Sequence, residues 1–422
     1  MNESTKNPEK VRRSHNRGFL NKHYAFKRWP LRFLAACFDT FGTLLSFPFR
    51  WMRPALNPDT IRNILVIRTD GIGDVLMTRP ALNLLRQQFP SAKITWVIAT
   101  DLLPLMQHRA EVDELIGWMH HWFSSNSSLI QILKEGGSLL KRLRAERYDL
   151  GIDFRGDLRH ILWMALGRIR YRAGYGITGG GFLLTHKPRY PWERHQVLVN
   201  HDLLHSLGMS GMGQQMPFVY SKTEEQQFWS GLPMDRWSGL RPRLVIHPAA
   251  SYPSKCWPPK KFRQLLERIL AEGCGSIALI GTADEANRMP ELGMADARVL
   301  DLRGKTRLQD LPILFDACDL FVGNDSGPAH LAAAQGLEAV VMASGTNDFR
   351  FWHPWSERVH LMRYHVPCMP CESRICPLGH HDCLEKVSVD SVFHTIRGVL
   401  QAKGLIPVRG NVASGSPAGP MS

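Results

Sequence analysis

No stretch of this chain stays apolar for the roughly 20 residues that a membrane-crossing helix needs. The nearest candidate, "FLAACFDTFGTLLSFPF" from Phe33 to Phe49, carries Asp39 mid-run and Pro48 near its end. A spanning segment is therefore not the expected reading. The small-residue cleavage pattern of a secretory signal is also missing. Cys37, Cys256, Cys274 and Cys318 are accordingly expected as buried thiols in a reducing compartment. No self-similarity at a solenoid period is present, which excludes a repeat array. The glycine turn "GIGD" lacks the third glycine of G-x-G-x-x-G, because position 76 is Leu76. That argues against a dinucleotide-binding first domain.

Acidic residues are in short supply as well: 38 Asp/Glu face 52 Lys/Arg over 422 residues, for a formal net charge of +14. The excess is unevenly placed. Residues Met1 to Arg53 hold eleven Lys/Arg against three Asp/Glu. A nucleic-acid binder would spread its charge over a folded face, so no nucleic-acid partner is expected. A basic arm suits an anionic surface. Arg and Trp residues flank the apolar run, which fits a helix lying in a membrane interface. A helix packed on the protein's own body is the competing reading. The arm is assigned residues 1–55.

What is present is an apolar fraction of 44%, ample for a large core. "NILVIRTD" reads as a strand, and "DVLMTRPALNLLRQQF" as one helix after it. "KITWVIAT" is a second strand, followed by "LLPLMQHRAEVDELIGW" in the place of a helix. "SLLKRLRAERYDLGIDFRGD" reads as a helix and then a strand ending at Asp153. Short apolar runs between amphipathic helices predict a parallel sheet covered on both faces. From about Gly208 to Arg243 the texture turns rich in Gly, Pro and Ser, as an interdomain connection would. The grammar then restarts with "RLVIHPAA", "SIALIGT", "LFVGND" and, as a last strand, "EAVVMAS". The expected fold is α/β: two doubly wound Rossmann-like domains, 56–222 and 223–408, with a disordered tail over 409–422.

Ligands of such sheets bind beyond the carboxyl ends of the strands. The loops Arg68–Asp74, His247–Lys255, Gly281–Glu285 and Asn324–His330 all follow a strand and precede a helix, so they should line one cleft. In "NDSGPAHLAAA", Pro328 fits a first helical turn, Gly327 admits close approach, and the free amides make an anion site; Ser326 and His330 point to the same place. An ordinary capped helix has the same pattern. Ser251 and Lys255 add a hydroxyl and a cation in a second loop, and the two loops together suit a diphosphate. Asp74 fits a general base facing the diphosphate, with the helix dipole favouring its ionised form; an N-cap aspartate without chemistry has the same spacing. Cys368, Cys371, Cys376 and Cys383, spaced C-x2-C-x4-C-x6-C, permit a structural zinc over 368–383 or a thiol-rich loop.

The stretches "ILVIRTDGIGDVLMTRPALNLLRQQFP", "YDLGIDFRGDLRH", "HPAASYPSKCWP", "FVGNDSGPAHLAAA" and "CMPCESRICPLGHHDCL" together resemble glycosyltransferase family 9, the bacterial lipopolysaccharide heptosyltransferases and their relatives. The resemblance covers about Asn63 to Leu400. It implies a GT-B architecture, the acceptor on the first domain and the nucleotide sugar, by default ADP-heptose, on the second. It implies inverting transfer to a lipid-linked or lipopolysaccharide-type acceptor at the inner face of the cytoplasmic membrane, with no metal required for catalysis. Asp74 resembles the catalytic base, Lys255 the phosphate-contacting lysine, and Ser251, Asp325, Ser326, Gly327 and His330 the donor site. Asp284 corresponds to an acid near the nucleoside. Arg79 departs from the pattern "TTPAL" or "TLPAL" and is placed on the acceptor side, as a cation for an acceptor phosphate or as a surface residue.

Overall fold

The computed structural model describes residues 24–25, 29–48, 54–107, 111–118, 129–232 and 241–407, without the side chains of 129–135. The disordered tail expected over 409–422 lies outside them, as do residues 1–23 of the arm.

Two parallel sheets carry the fold. The first has strands β1 (Asn63–Ile67), β2 (Lys93–Ala99), β3 (Glu114–Trp118), β4 (Leu150–Asp153) and β5 (Tyr171–Gly174), in the order β3-β2-β1-β4-β5. The second has β6 (Arg243–His247), β7 (Ser276–Leu279), β8 (Val299–Asp301), β9 (Leu320–Asn324), β10 (Ala339–Met342) and β11 (Val359–Met362), in the order β11-β10-β9-β6-β7-β8. Both are Rossmann-like, as the alternation of apolar runs predicts. The central strands show why. Ile64, Leu65, Val66 and Ile67 of β1 have no exposed surface, since helices cover both faces of the sheet. Each such side chain contributes about 1.5–3 kcal/mol by leaving water. One apolar cluster joins a face of the first sheet to a face of the second, including Ile64 and Trp96 of the one with Val245 and Phe321 of the other.

Several elements depart from the sequence reading, among them the edge strands β5 and β8, for which no strand was expected. The stretch after β2 holds a short 3-10 turn, Thr100–Leu102, and then β3, where a helix was expected. β11 follows "EAVVMAS", which is therefore not the last strand. The single helix expected after β1 is two, α2 (Ile72–Leu76) and α3 (Arg79–Gln88), which follow the arm helix α1 (Trp29–Ser46). Pro80 explains the break. It has no N–H to donate, and its ring would collide with the carbonyl of Leu76 in a continuous helix. Thr78 Oγ1 donates to the Asp74 carbonyl (2.9 Å) and Asn200 Nδ2, from α4 (Gln196–His205), to that of Met77 (3.0 Å), so these two carbonyls at the break have partners.

The strand order fixes the site. In each sheet the first strand in sequence lies between neighbours reached by crossovers of opposite direction, β1 between β2 and β4, β6 between β7 and β9. Such switch points leave a crevice beyond the strand ends. The loops after β1 and β6 open there, facing one another.

Candidate active site

The crevice between the domains is a cleft of ≈ 1670 Å³. Its first-domain wall includes Gly71, Ile72, Gly73 and Asp74, with Tyr190 and Trp192 from the chain leading into α4. Its second-domain wall includes Ser251, Lys255, Asp325, Ser326, Gly327 and His330. Seven of the residues singled out in the sequence, Asp74 and these six, therefore meet in one cavity, though β1 and α6 (Gly327–Ala334) are about 250 residues apart in sequence.

The two walls touch at the floor, where α2 lies against α6. A Cβ on Gly327 would come 2.2 Å from Ile72 Cγ2, and one on Gly73 would come 3.1 Å from the His330 ring. Neither glycine has a positive φ that demands glycine, so contact between the domains is the reason for their size.

Asp74 sits in the first turn of α2. Its Oδ1 accepts from Arg68 Nη2 at 2.7 Å, and 28% of its side chain remains exposed to the cleft. Burial raises its pKa above the usual carboxylate value; Arg68 and His330 oppose the rise and Asp70 adds to it. The helix dipole was expected to favour the ionised form, but α2 is only five residues long and desolvation outweighs it. Arg68 is part of an alternating chain of charge. Its Nη1 donates to the Phe154 carbonyl (2.7 Å), its Nε lies 2.7 Å from Asp70, and Asp70 pairs with Arg155 at 2.5 Å.

On the opposite wall, Lys255 Nζ lies 3.0 Å from Asp325 Oδ2 and His330 Nε2 lies 3.7 Å from Asp325 Oδ1. Burial alone would raise the Asp325 carboxyl, but His330 and Lys255 outweigh it and hold the pKa at about 2. Ser326 does not cap α6 with its side chain. Its hydroxyl instead lies 3.1 Å from His247 Nδ1, while His247 Nε2 is 3.6 Å from Glu285.

Two of the expected site residues lie elsewhere. Asp284 is exposed and does not line the cleft; its neighbour Glu285 is the acid that turns inward, to His247. Thr282 and Glu285 form a reciprocal capping box at the start of α5 (Ala283–Arg288), and this pins Glu285 rather than Asp284 over the strand ends. The T-x-x-E spacing was the signal for it. Arg79 is neither an acceptor-side cation nor a surface residue. It is 1% exposed, bonded to Glu111 at 2.7 Å and lying 4.2 Å over the Phe218 ring.

The cysteines do not assemble a zinc site either. Among the described residues no group of three or more His, Cys, Asp or Glu is placed to hold a metal ion. Cys383 is instead buried in the second domain's core, and Cys368 packs at its edge. Hydrogen bonds hold the loop. Cys371 N donates to Gly345 O (2.9 Å), Ser254 Oγ to Ser373 O (2.6 Å), and His381 Nε2 lies 3.0 Å from Ser254 O. The loop thereby buttresses the segment that carries Lys255, and Pro370, Glu372, Ser373 and Arg374 continue it into the cleft wall.

Sequence reasoning gave no role to Arg68 or His247, although both lie in stretches it singled out. His247 takes its partners, Ser326 and Glu285, from other loops, while those of Arg68, Asp70 and Asp74, lie in its own loop.

Two doubly wound parallel-sheet domains with a charged cleft at their facing switch points define a GT-B protein, the architecture of nucleotide-sugar glycosyltransferases. The chain belongs to glycosyltransferase family 9 (heptosyltransferase), whose profile matches residues 137–381. Among curated relatives it is 28% identical over 312 residues to lipopolysaccharide heptosyltransferase 3 of Escherichia coli K12, covering 68% of this chain and 83% of that one. Among solved structures, a family 9 glycosyltransferase from Veillonella parvula superposes with a TM-score of 0.70 at 19% identity, over 82% of this chain and 99% of that one. The ADP-heptose lipopolysaccharide heptosyltransferase II of Escherichia coli gives a TM-score of 0.64 at 22% identity, over 81% and 99%. This chain is a glycosyltransferase.

Proposed function

We propose that this enzyme moves a heptosyl group from ADP-heptose to a lipopolysaccharide-core or related cell-envelope acceptor, with inversion and without a catalytic metal. The activities of its relatives, lipopolysaccharide heptosyltransferase 3 and the ADP-heptose lipopolysaccharide heptosyltransferase II, support the donor and acceptor classes. The acceptor rests on the first domain and the nucleotide sugar on the second. Acceptors of this kind are lipid-linked, so the enzyme works at the inner face of the cytoplasmic membrane.

The observation that carries the reading is Asp74 facing the Lys255–Asp325 pair across one cleft. Asp74 takes the proton from an acceptor hydroxyl, and a raised pKa brings it closer to the operating pH, where a general base is most effective. The freed oxygen attacks the anomeric carbon as the bond from that carbon to the diphosphate oxygen breaks. Base and leaving group occupy opposite walls, which suits inversion. Lys255, the Ser326 hydroxyl and the backbone amides opening α6 receive the charge that develops on the diphosphate. Asp325, neutralised by Lys255 and His330, is then free to accept from sugar hydroxyls.

The test is incubation with ADP-heptose and lipid-A-core acceptors, followed by mass spectrometry. A heptose added by the wild type, with turnover down roughly 10²–10⁴-fold in Asp74→Asn and donor binding retained, supports the assignment. Equal turnover by the two proteins would refute it.

A further inference from the structure

α1 is an amphipathic helix turned inside out. The stripe it presents to the protein holds small and polar residues: Ala35, Asp39 and Gly42 are its buried positions. Asp39 accepts from Gly180 N (2.6 Å) and from the Tyr24 hydroxyl (3.0 Å). Gly42 lies so close to Phe182 that a Cβ there would overlap the ring at 2.3 Å. The outward side is the apolar one. Phe33, Leu34, Phe41, Leu44 and Leu45 are all more than half exposed, Leu44 at 69%. A helix on a soluble body normally does the reverse. An exposed apolar face of this extent marks an interaction site.

The occupant is legible from its surroundings. Between α1 and the edge strand β5 lies a hollow of ≈ 690 Å³. Phe38, Phe41 and Leu45 form one side of it, and Phe182, Arg170 and Arg172 the other. Arg172 is anchored to the Leu183 and Ile169 carbonyls, while Arg170 is exposed above the Tyr171 ring. Apolar walls with cations at one edge match a phospholipid, its acyl chain in the hollow and its phosphate on the arginines. The chain around α1 is strongly basic, with eleven Lys/Arg against three Asp/Glu to Arg53. Residues 1–23 hold only Met1, Val11, Phe19 and Leu20 as large apolar residues. No helix among the described residues is long and apolar enough to cross a membrane, and a helix with one apolar face suits a membrane interface.

We infer that α1 and the β5 edge form a docking surface for anionic phospholipid, with α1 in the bilayer plane and a lipid seated between Phe41 and Arg170. This deepens the proposed action on a lipid-linked acceptor, and that reading supplies its purpose. The docking platform, residues 177–184, runs on through five residues to Tyr190 of the cleft wall, so docking fixes the acceptor domain against the membrane.

The experiment is co-sedimentation of the full chain with vesicles of phosphatidylcholine alone and of phosphatidylcholine mixed with phosphatidylglycerol. Strong binding is expected only to the mixed vesicles, weakening as salt shortens the screening length. Phe41→Glu with Leu45→Glu should abolish it, and Arg170→Glu should weaken it by roughly fivefold or more, since each cation near an anionic surface contributes appreciably. Both variants change exposed positions, so their melting temperatures should match the wild type. Asp74→Asn should bind vesicles normally even though transfer is lost, which keeps failure of the catalytic reading separate from failure of this one. The proposal is overturned if the double Glu variant still sediments with the mixed vesicles. It is equally overturned if the chain ignores lipid and forms a dimer that the double variant breaks.

Discussion

Arg68 and Asp74 form an ion pair at 2.7 Å in which the guanidinium is 4% exposed and the carboxylate opens to the cleft. The pair joins the residue just after β1 to the proposed base, and it lowers that base's proton affinity against the effect of burial.

Removing the cation should therefore change the pH profile. Burial and Asp70 raise the Asp74 pKa, and Arg68 opposes them. Arg68→Met leaves the upward pressures opposed by His330 alone, so the pKa rises further. A base acts when ionised, and activity is lost below its pKa, so the acid limb of kcat/KM should move to higher pH. Arg68→Lys, which keeps the charge, should restore part of the shift. An unmoved limb in Arg68→Met would separate the pair from catalysis.

Asp325 gives the opposite sign. Its folded pKa of about 2 lies below the unfolded value of about 4. It therefore stabilises the fold above about pH 4, by on the order of 2 kcal/mol, and that contribution fades as pH falls towards about 2. Urea titrations of Asp325→Asn should show a smaller loss of stability than the wild type between about pH 6 and pH 3.

Arg79 is expected to matter for stability and not for acceptor affinity. Arg79→Leu leaves Glu111 as an uncompensated buried charge and should cost about 3–5 kcal/mol. The double change to Leu at both positions should recover much of that loss. Acceptor KM measured on folded protein should stay at the wild-type value; a rise above tenfold would return Arg79 to the acceptor site.

Gly327 tests the contact between domains. Gly327→Ala places a methyl 2.2 Å from Ile72 Cγ2, so α2 and α6 must separate. A misplacement of about 1 Å in a positioned site can cost on the order of 100-fold. Turnover should fall by at least tenfold, and adding Ile72→Ala, which vacates the space, should restore a large part. Loss without any rescue would mean that the methyl blocks the donor directly.

Much of this molecule was readable from residue order. "NILVI" and "RLVIH" are runs that only a strand buried on both faces can use, and their spacing requires helical crossovers between parallel strands. The residues after such strands then had to lie at the cleft, and Asp74, Ser251, Lys255, Asp325, Ser326, Gly327 and His330 do. The missed strands β3, β5, β8 and β11 are the four that lie at the sheet edges, where fewer neighbours impose a hydrophobic pattern. Asp284 failed for a local reason: a capping box, not the charge itself, decides which of two adjacent acids turns inward.

By itself, then, the sequence determined the class of fold, the loops that form the cleft and the chemistry those loops offer, because periodicity and strand-end position are local properties. Only the tertiary structure decided which charge meets which. It sent Arg79 into the core to Glu111, brought His247 to Ser326, buried Cys383 beside the other three cysteines, and turned the apolar side of α1 outward. Pairings of that kind depend on desolvation and on distances between segments remote in sequence, and neither quantity exists until the chain has folded.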